Sequence, residues 1–368
     1  MTDRILVYRC GSLGDTVIAL PCFHLIRRAF PNATIRVMTD TPFGQRAIAS
    51  DAILDGSGLV DEIVVHPRGL RHMARLAALV RETRQWRADA VVYLPAFPTR
   101  LKLIRDAVFF RVCGVANLIG APWRQTLRIH QFDAMHRLYE TEASRLARCL
   151  APLGPIAFNA DEWELNHTQD ERRRAVEVLS HWKGGHAFIA VCVGTKVAAN
   201  DWGDANWRVV LRGLAPMCPD VGLMMFGGAD DKQRTEQLLM EWPGPRLNLC
   251  AEVSPRVSAL LMRDALMYMG HDSGPMHLAA SVGTPCVCVF SRHNLPGLWF
   301  PTGAGHEPLY PWPRSGVLKA QDAGIEEIMP ADVIAAASRV LRRRLGTGTG
   351  RDAPARTVAS SVGEVPTA

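Results

Sequence analysis

Short apolar runs of strand type alternate with helix-length segments along the whole chain, which predicts an α/β protein with parallel sheets and crossover helices. At 368 residues and 40.5 kDa the chain exceeds one typical core, so two domains are expected. A polar, glycine-bearing loop follows an apolar run in each half, at residues 11–15 and 270–275. Open α/β sheets hold their ligands at such places, outside the carboxyl ends of strands.

The elements follow in order. In the first half, strands fit residues 5–8, 35–38, 62–66, 90–94 and 117–120, and helices fit 16–29, 71–85 and 135–150. In the second half, strands fit 187–193, 222–226, 247–249, 265–269 and 286–290. Helices there fit 170–182, 207–217, 231–241, 255–262 and 332–344. Residues 151–167, with two prolines and no clear period, mark the boundary. The predicted division is an N-terminal domain over 1–155, a C-terminal domain over 168–345, and a tail over 346–368. The tail is rich in Gly, Thr, Ala and Pro and is predicted to be disordered.

Composition narrows the function classes. With 48% hydrophobic and 21% charged residues, the chain reads as globular rather than disordered. No apolar run is long enough to span a bilayer, and residues 1–8 show no secretory pattern, so a cytoplasmic location is expected. Nine scattered cysteines without a CxxC pair argue against a structural zinc site or a disulfide framework. The charge of +6 is a mild basic excess, with arginine clusters at 27–28, 172–174 and 342–344. Solvated helix faces are the plain reading. The functional one is attraction to a phosphorylated acceptor or to the anionic inner face of a membrane. No motif points to nucleic acid.

The densest chemistry lies in residues 270–290, GHDSGPMHLAASVGTPCVCVF. Turn formers carry an imidazole, a carboxylate and a hydroxyl, and Pro275 is placed to start a short helix over residues 276–282. Free N–H groups at such a helix start favour a phosphate. The loop Gly11-Ser12-Leu13-Gly14-Asp15 has the same setting but no GxGxxG fingerprint. Asp15 reads evenly as a helix N-cap or as a reactive carboxylate.

Asp272-Ser273-Gly274-Pro275-Met276-His277-Leu278-Ala279-Ala280 with Gly283-Thr284-Pro285 resembles the signature of glycosyltransferase family 9, the heptosyltransferases of lipopolysaccharide synthesis. Residues 4–9 (RILVYR), 11–15 and Ala19-Leu20-Pro21 are similar to that family's first strand, loop and helix. The resemblance extends over residues 1–344. It implies the GT-B architecture, two Rossmann-like domains facing across a cleft.

It also implies an inverting transfer, with heptose moved from ADP-heptose onto a lipopolysaccharide-core or related lipid-linked glycan, and with neither cofactor nor metal. Asp15 would be the base that takes the acceptor's hydroxyl proton. Ser12, Leu13 and Gly14 would shape its loop. Ser273, Gly274 and His277 would hold the donor diphosphate, with Asp272 orienting the loop or His277. Asp230 or Asp231 would bind ribose hydroxyls, either being equally readable as a cap. In the loop Gly194-Thr195-Lys196, Thr195 and Lys196 are placed near the donor. The family carries a lysine two positions before the matching tryptophan, and here that position is Asn200. Lys196 is the substitute cation in the same loop.

Three other readings have definite sequence content. A Ser273–His277 hydrolase lacks the glycine two positions before the serine, where Asp272 stands. A metal site through His271, Asp272 and His277 is sparse. A non-catalytic nucleotide-sugar-binding protein is suggested by Asn200.

Overall fold

The structure, a computed structural model, describes residues 3–40, 50–66, 73–185, 187–312 and 324–346. The first half contributes β1 (Arg4–Tyr8), β2 (Thr34–Asp40), β3 (Glu62–His66), β4 (Ala90–Tyr93) and β5 (Leu118–Ile119), then a ribbon of β6 (Phe132–Asp133) and β7 (Leu138–Tyr139). Its helices are α1 (Leu13–Ile18), α2 (Leu20–Ala29), α3 (Asp51–Leu54), α4 (Met73–Trp86), α5 (Arg100–Val112), α6 (Gln125–Arg128) and α7 (Glu142–Leu150).

The second half contributes β8 (Phe188–Cys192), β9 (Gly222–Met225), β10 (Arg246–Asn248), β11 (Met267–His271), β12 (Cys286–Val289) and β13 (Glu307–Leu309). Around them lie α8 (Gln169–Ser180), α9 (Asp204–Leu214), α10 (Lys232–Leu239), α11 (Pro255–Arg263), α12 (Gly274–Ser281) and α13 (Pro330–Gly346).

The strands order β3-β2-β1-β4-β5 and β10-β9-β8-β11-β12-β13. Every pairing in both sheets is parallel. Each is a doubly wound sheet whose order reverses beside its first strand, β1 or β8, where ligands bind in such folds. Near-continuous apolar strands such as FIAVC and CVCV suit burial on both faces. One apolar cluster joins the halves, running from Ile5, Val17 and Phe23 to Ala190, Leu260 and Met276.

Several expectations change. The helix expected over 16–29 is two, broken at Ala19, because Pro21 has no N–H to continue the ladder. The helix expected over 135–150 begins only at Glu142. Thr141 caps it, accepting the Ser144 N–H at 3.2 Å, and the β6–β7 ribbon fills the preceding residues. Helix α5 was not foreseen: it is apolar on two sides, so it shows no one-sided period. Gly270 and His271 lie inside β11 rather than in a turn, and Pro275 is the second residue of its helix, not the first. Helix α13 extends through Gly346, and the rest of the expected tail lies outside the described residues.

Candidate functional site

Helices α1 and α12 each start at the carboxyl end of a sheet's first or fourth strand, and the two starts touch. A Cβ at Gly274 would lie 2.7 Å from Leu13 Cδ2, and one at Gly14 would lie 3.1 Å from His277 Cδ2. A side chain at position 274 would force Leu13 to shift and one at 14 would crowd His277, so the two glycines ease this approach. It brings Ser12, Leu13, Gly14 and Asp15 against Gly274 and His277, one loop of the expected site from each half of the chain.

Asp15 is the third residue of α1, not its N-cap. Ser12 is the N-cap, and it donates both its N–H (2.8 Å) and its hydroxyl (3.0 Å) to Asp15 Oδ2. The carboxylate is about one-fifth exposed, and Ser12 holds it through one oxygen. Behind it, fully buried Arg9 reaches Asp15 from the end of β1: one guanidinium nitrogen donates to the Asp15 carbonyl and stands 4.0 Å from Oδ1. The other donates to Leu94 O at 2.5 Å.

Lys196 meets this group from the opposite half, its Nζ donating to Ser12 Oγ at 2.5 Å. Its loop is anchored by His271, fully buried, whose Nε2 accepts from Trp202 N–H (3.1 Å) and the Trp207 indole (3.2 Å). Burial pushes the His271 imidazolium well below its usual range, so a neutral ring accepts both bonds. Arg234 fixes Asp201 in the same loop at 2.8 and 2.9 Å. Thr195 is turned onto its own loop, donating to Val197 O and accepting its N–H at 3.3 Å. Asn200 is buried, its Oδ1 accepting from Ser291 at 2.6 Å.

On the α12 side of the junction, the Ser273 hydroxyl is buried without a hydrogen-bond partner, and no bond joins it to His277. His277 is buried and pushed down to about 4 by that burial, so its ring is neutral near pH 7. Burial pushes the Asp272 carboxyl up to about 7, with Asn294 Nδ2 donating at 3.3 Å and the Lys196 charge working the other way. Asp231 caps the turn after β9 by accepting the Gly228 N–H at 3.0 Å, and its carboxylate lies against Gly194. Asp230 is exposed beside it. Among the described residues no three His, Cys, Asp or Glu side chains converge to hold a metal.

The sequence reading overlooked several groups here. Arg9 is a charge closing an apolar strand, a signal that was present. Phe97 follows β4 at the same sheet end, with positive φ of 47°. Its exposed ring stands 5.4 Å from His130 and 5.8 Å from Trp299, and Trp299 in turn packs 6.2 Å from His277. Glu142 joins His130 (2.9 Å) to Arg145 (2.7 Å). Burial favours a neutral Glu142 carboxyl, but those bonds overcome it and hold it at about 2.

Two facing doubly wound sheets with these loops at their junction make the GT-B architecture. The family model for glycosyltransferase family 9 (heptosyltransferase) matches residues 103–305. The chain belongs to that family. The N-terminal loop with Asp15 precedes the matched residues.

In fold, the chain is similar to the family 9 glycosyl transferase of Veillonella parvula (TM-score 0.70, 18% identity, 93% of this chain and 98% of that one). It is also similar to E. coli ADP-heptose lps heptosyltransferase II (TM-score 0.63, 17% identity, 93% and 99%). A third likeness is to E. coli heptosyltransferase WaaC with ADP (TM-score 0.62, 15% identity, 92% and 99%). No curated protein matches the chain.

Proposed function

We propose that this glycosyltransferase moves a sugar, heptose from ADP-heptose, onto a lipopolysaccharide-core or related lipid-linked glycan, with inversion and without a metal. The observation that carries this is the junction of α1 and α12, where Asp15 and Lys196 come from opposite halves to one hydroxyl, Ser12 Oγ. Residues 1–155 would take the acceptor and 168–345 the donor. Asp15 accepts the acceptor's hydroxyl proton as that oxygen attacks the anomeric carbon. Lys196 and the N–H of Gly274 meet the charge on the leaving diphosphate. Neutral His277 gives a hydrogen bond without adding charge.

Asp230 or Asp231 would bind the ribose hydroxyls, Asp231 serving also as the cap of its turn. Thr195 and Asn200 shape the Lys196 loop through their own bonds. Ser273, the N-cap of α12, has a hydroxyl without a cap bond and would offer it to the donor diphosphate. Its buried hydroxyl, unpaired with His277, gives a hydrolase no nucleophile–base pair.

Among the described residues no helix is long and apolar enough to cross a membrane, so a lipid-linked acceptor would be met at a surface. The test is a panel of ADP- and UDP-sugars read by thermal stabilisation, followed by product analysis with a lipid-linked acceptor. Stabilisation by ADP-heptose with transfer supports the reading. Preference for another nucleotide refutes the donor, and binding without transfer identifies a non-catalytic relative.

A further inference from the structure

Much of the charge in the arginine clusters is met by acids. Arg27 pairs with Asp61 (2.8 Å), Arg28 with Glu162 (3.2 Å), Arg174 with Glu177 (2.8 Å) and Arg343 with Glu307 (2.9 Å). Residues 100–137 carry seven Lys and Arg against two Asp, a local excess of five positive charges. That stretch begins with α5.

Helix α5 buries Leu103, Asp106 and Phe110 against the first sheet. Its opposite face carries Leu101, Ile104, Val108 and Val112, which are 80%, 44%, 58% and 54% exposed. Spacings of three, four and four residues put these side chains in one ridge, about 17 Å long from end to end. Arg100, Lys102, Arg105 and Arg111 flank it, all exposed. The helix's one acid, Asp106, is turned inward, accepting from the Tyr93 hydroxyl at 2.9 Å and from Arg105 at 2.8 Å. Among the described residues no acid meets Arg100, Lys102 or Arg111. The outward face of α5 is thus aliphatic in the middle, cationic at both margins, and without an exposed anion.

We infer that this face docks on an anionic lipid surface, its ridge entering the acyl boundary and its margins meeting headgroup phosphates. A second copy of the chain is a poorer occupant. Two-fold pairing of the ridge would set the same cationic margins against each other. The position suits catalysis as well. Helix α5 leaves β4 through Phe97, so a membrane held there lies on the half that brings Asp15. That last step rests on the proposed transfer to a lipid-linked acceptor, whereas the docking does not.

The experiment is co-sedimentation of the full chain with phosphatidylcholine vesicles, with and without phosphatidylglycerol, alongside thermal stabilisation by ADP. Wild type is expected on the anionic vesicles only. Lys102→Gln with Arg111→Gln should weaken binding by about tenfold or more. Leu101→Gln with Val108→Gln, both outward-facing, should weaken it comparably while ADP stabilisation stays unchanged. Either double variant binding like wild type overturns the inference, as does wild type ignoring anionic vesicles. A dimer of wild type that the Leu101/Val108 variant loses, with no vesicle binding by either, assigns the ridge to a second copy instead. Vesicle binding without sugar transfer would leave the docking intact and refute the proposed reaction alone.

Discussion

Replacing Asp15 with asparagine separates the two roles its carboxylate plays. The carboxylate closes the first turn of α1 by accepting from Ser12 N–H and Oγ, and it is the proposed base. Asparagine keeps an acceptor oxygen at the same reach and loses the basicity. The cap is therefore retained, and the melting temperature should stay within about 2 °C of wild type, the shift that roughly 1 kcal/mol produces in a large domain. Losing a positioned general base should lower kcat by about 10²–10⁴. Asp15→Ala removes the cap as well and should destabilise by a further ~1 kcal/mol. Release of nucleotide diphosphate is timed against saturating donor and acceptor, with scanning calorimetry on the same samples. An asparagine variant turning over within about threefold of wild type refutes the base assignment. Equal loss of fold and activity in both variants would make Asp15 a structural cap.

Three further outcomes follow from the site. Lys196→Ala should lower kcat by about 10²–10³, as one preoriented donor at a departing charge is worth; adding Asn200→Lys should fail to restore it, because Asn200 is buried against Ser291, and full rescue in a steady-state assay would contradict this. Gly274→Ala places a methyl 2.7 Å from Leu13 Cδ2 and should destabilise by about 1–3 kcal/mol, measured by chemical denaturation, while donor affinity falls as the junction parts. Asp272, raised to about 7, holds a proton that the unfolded chain releases near pH 4. Its contribution to stability is thus complete below about 4 and is lost as pH rises through about 7, and the ionised form also repels diphosphate. Donor affinity by calorimetric titration should decline above pH 7 in wild type and less so in Asp272→Asn; parallel profiles would refute it.

The sheets were legible because Val-rich runs such as AVVY and CVCV suit little other than buried strands. The junction was half legible. Its two motifs showed which loops matter, but not that Gly14 and Gly274 are close-approach residues, since no local pattern encodes a contact between residues 260 positions apart. Lys196 was legible as a nearby cation, but its reach to Ser12 was not. Helix α5 was hidden because its Leu103–Phe110 face and its Leu101–Val112 face are both apolar. Arg9 and Phe97 were missed for a related reason: each looks like the end of a strand until the fold turns that end toward a ligand.

The apolar cluster that passes from β1 and α1 into β8 and α12 has a consequence for how the molecule comes apart. Each Rossmann unit keeps an apolar cluster of its own, but Leu13 and Met276 belong to one dry wall shared by both. Calorimetry should register one melting event instead of two, and either unit synthesised alone would expose its side of that wall to water and aggregate.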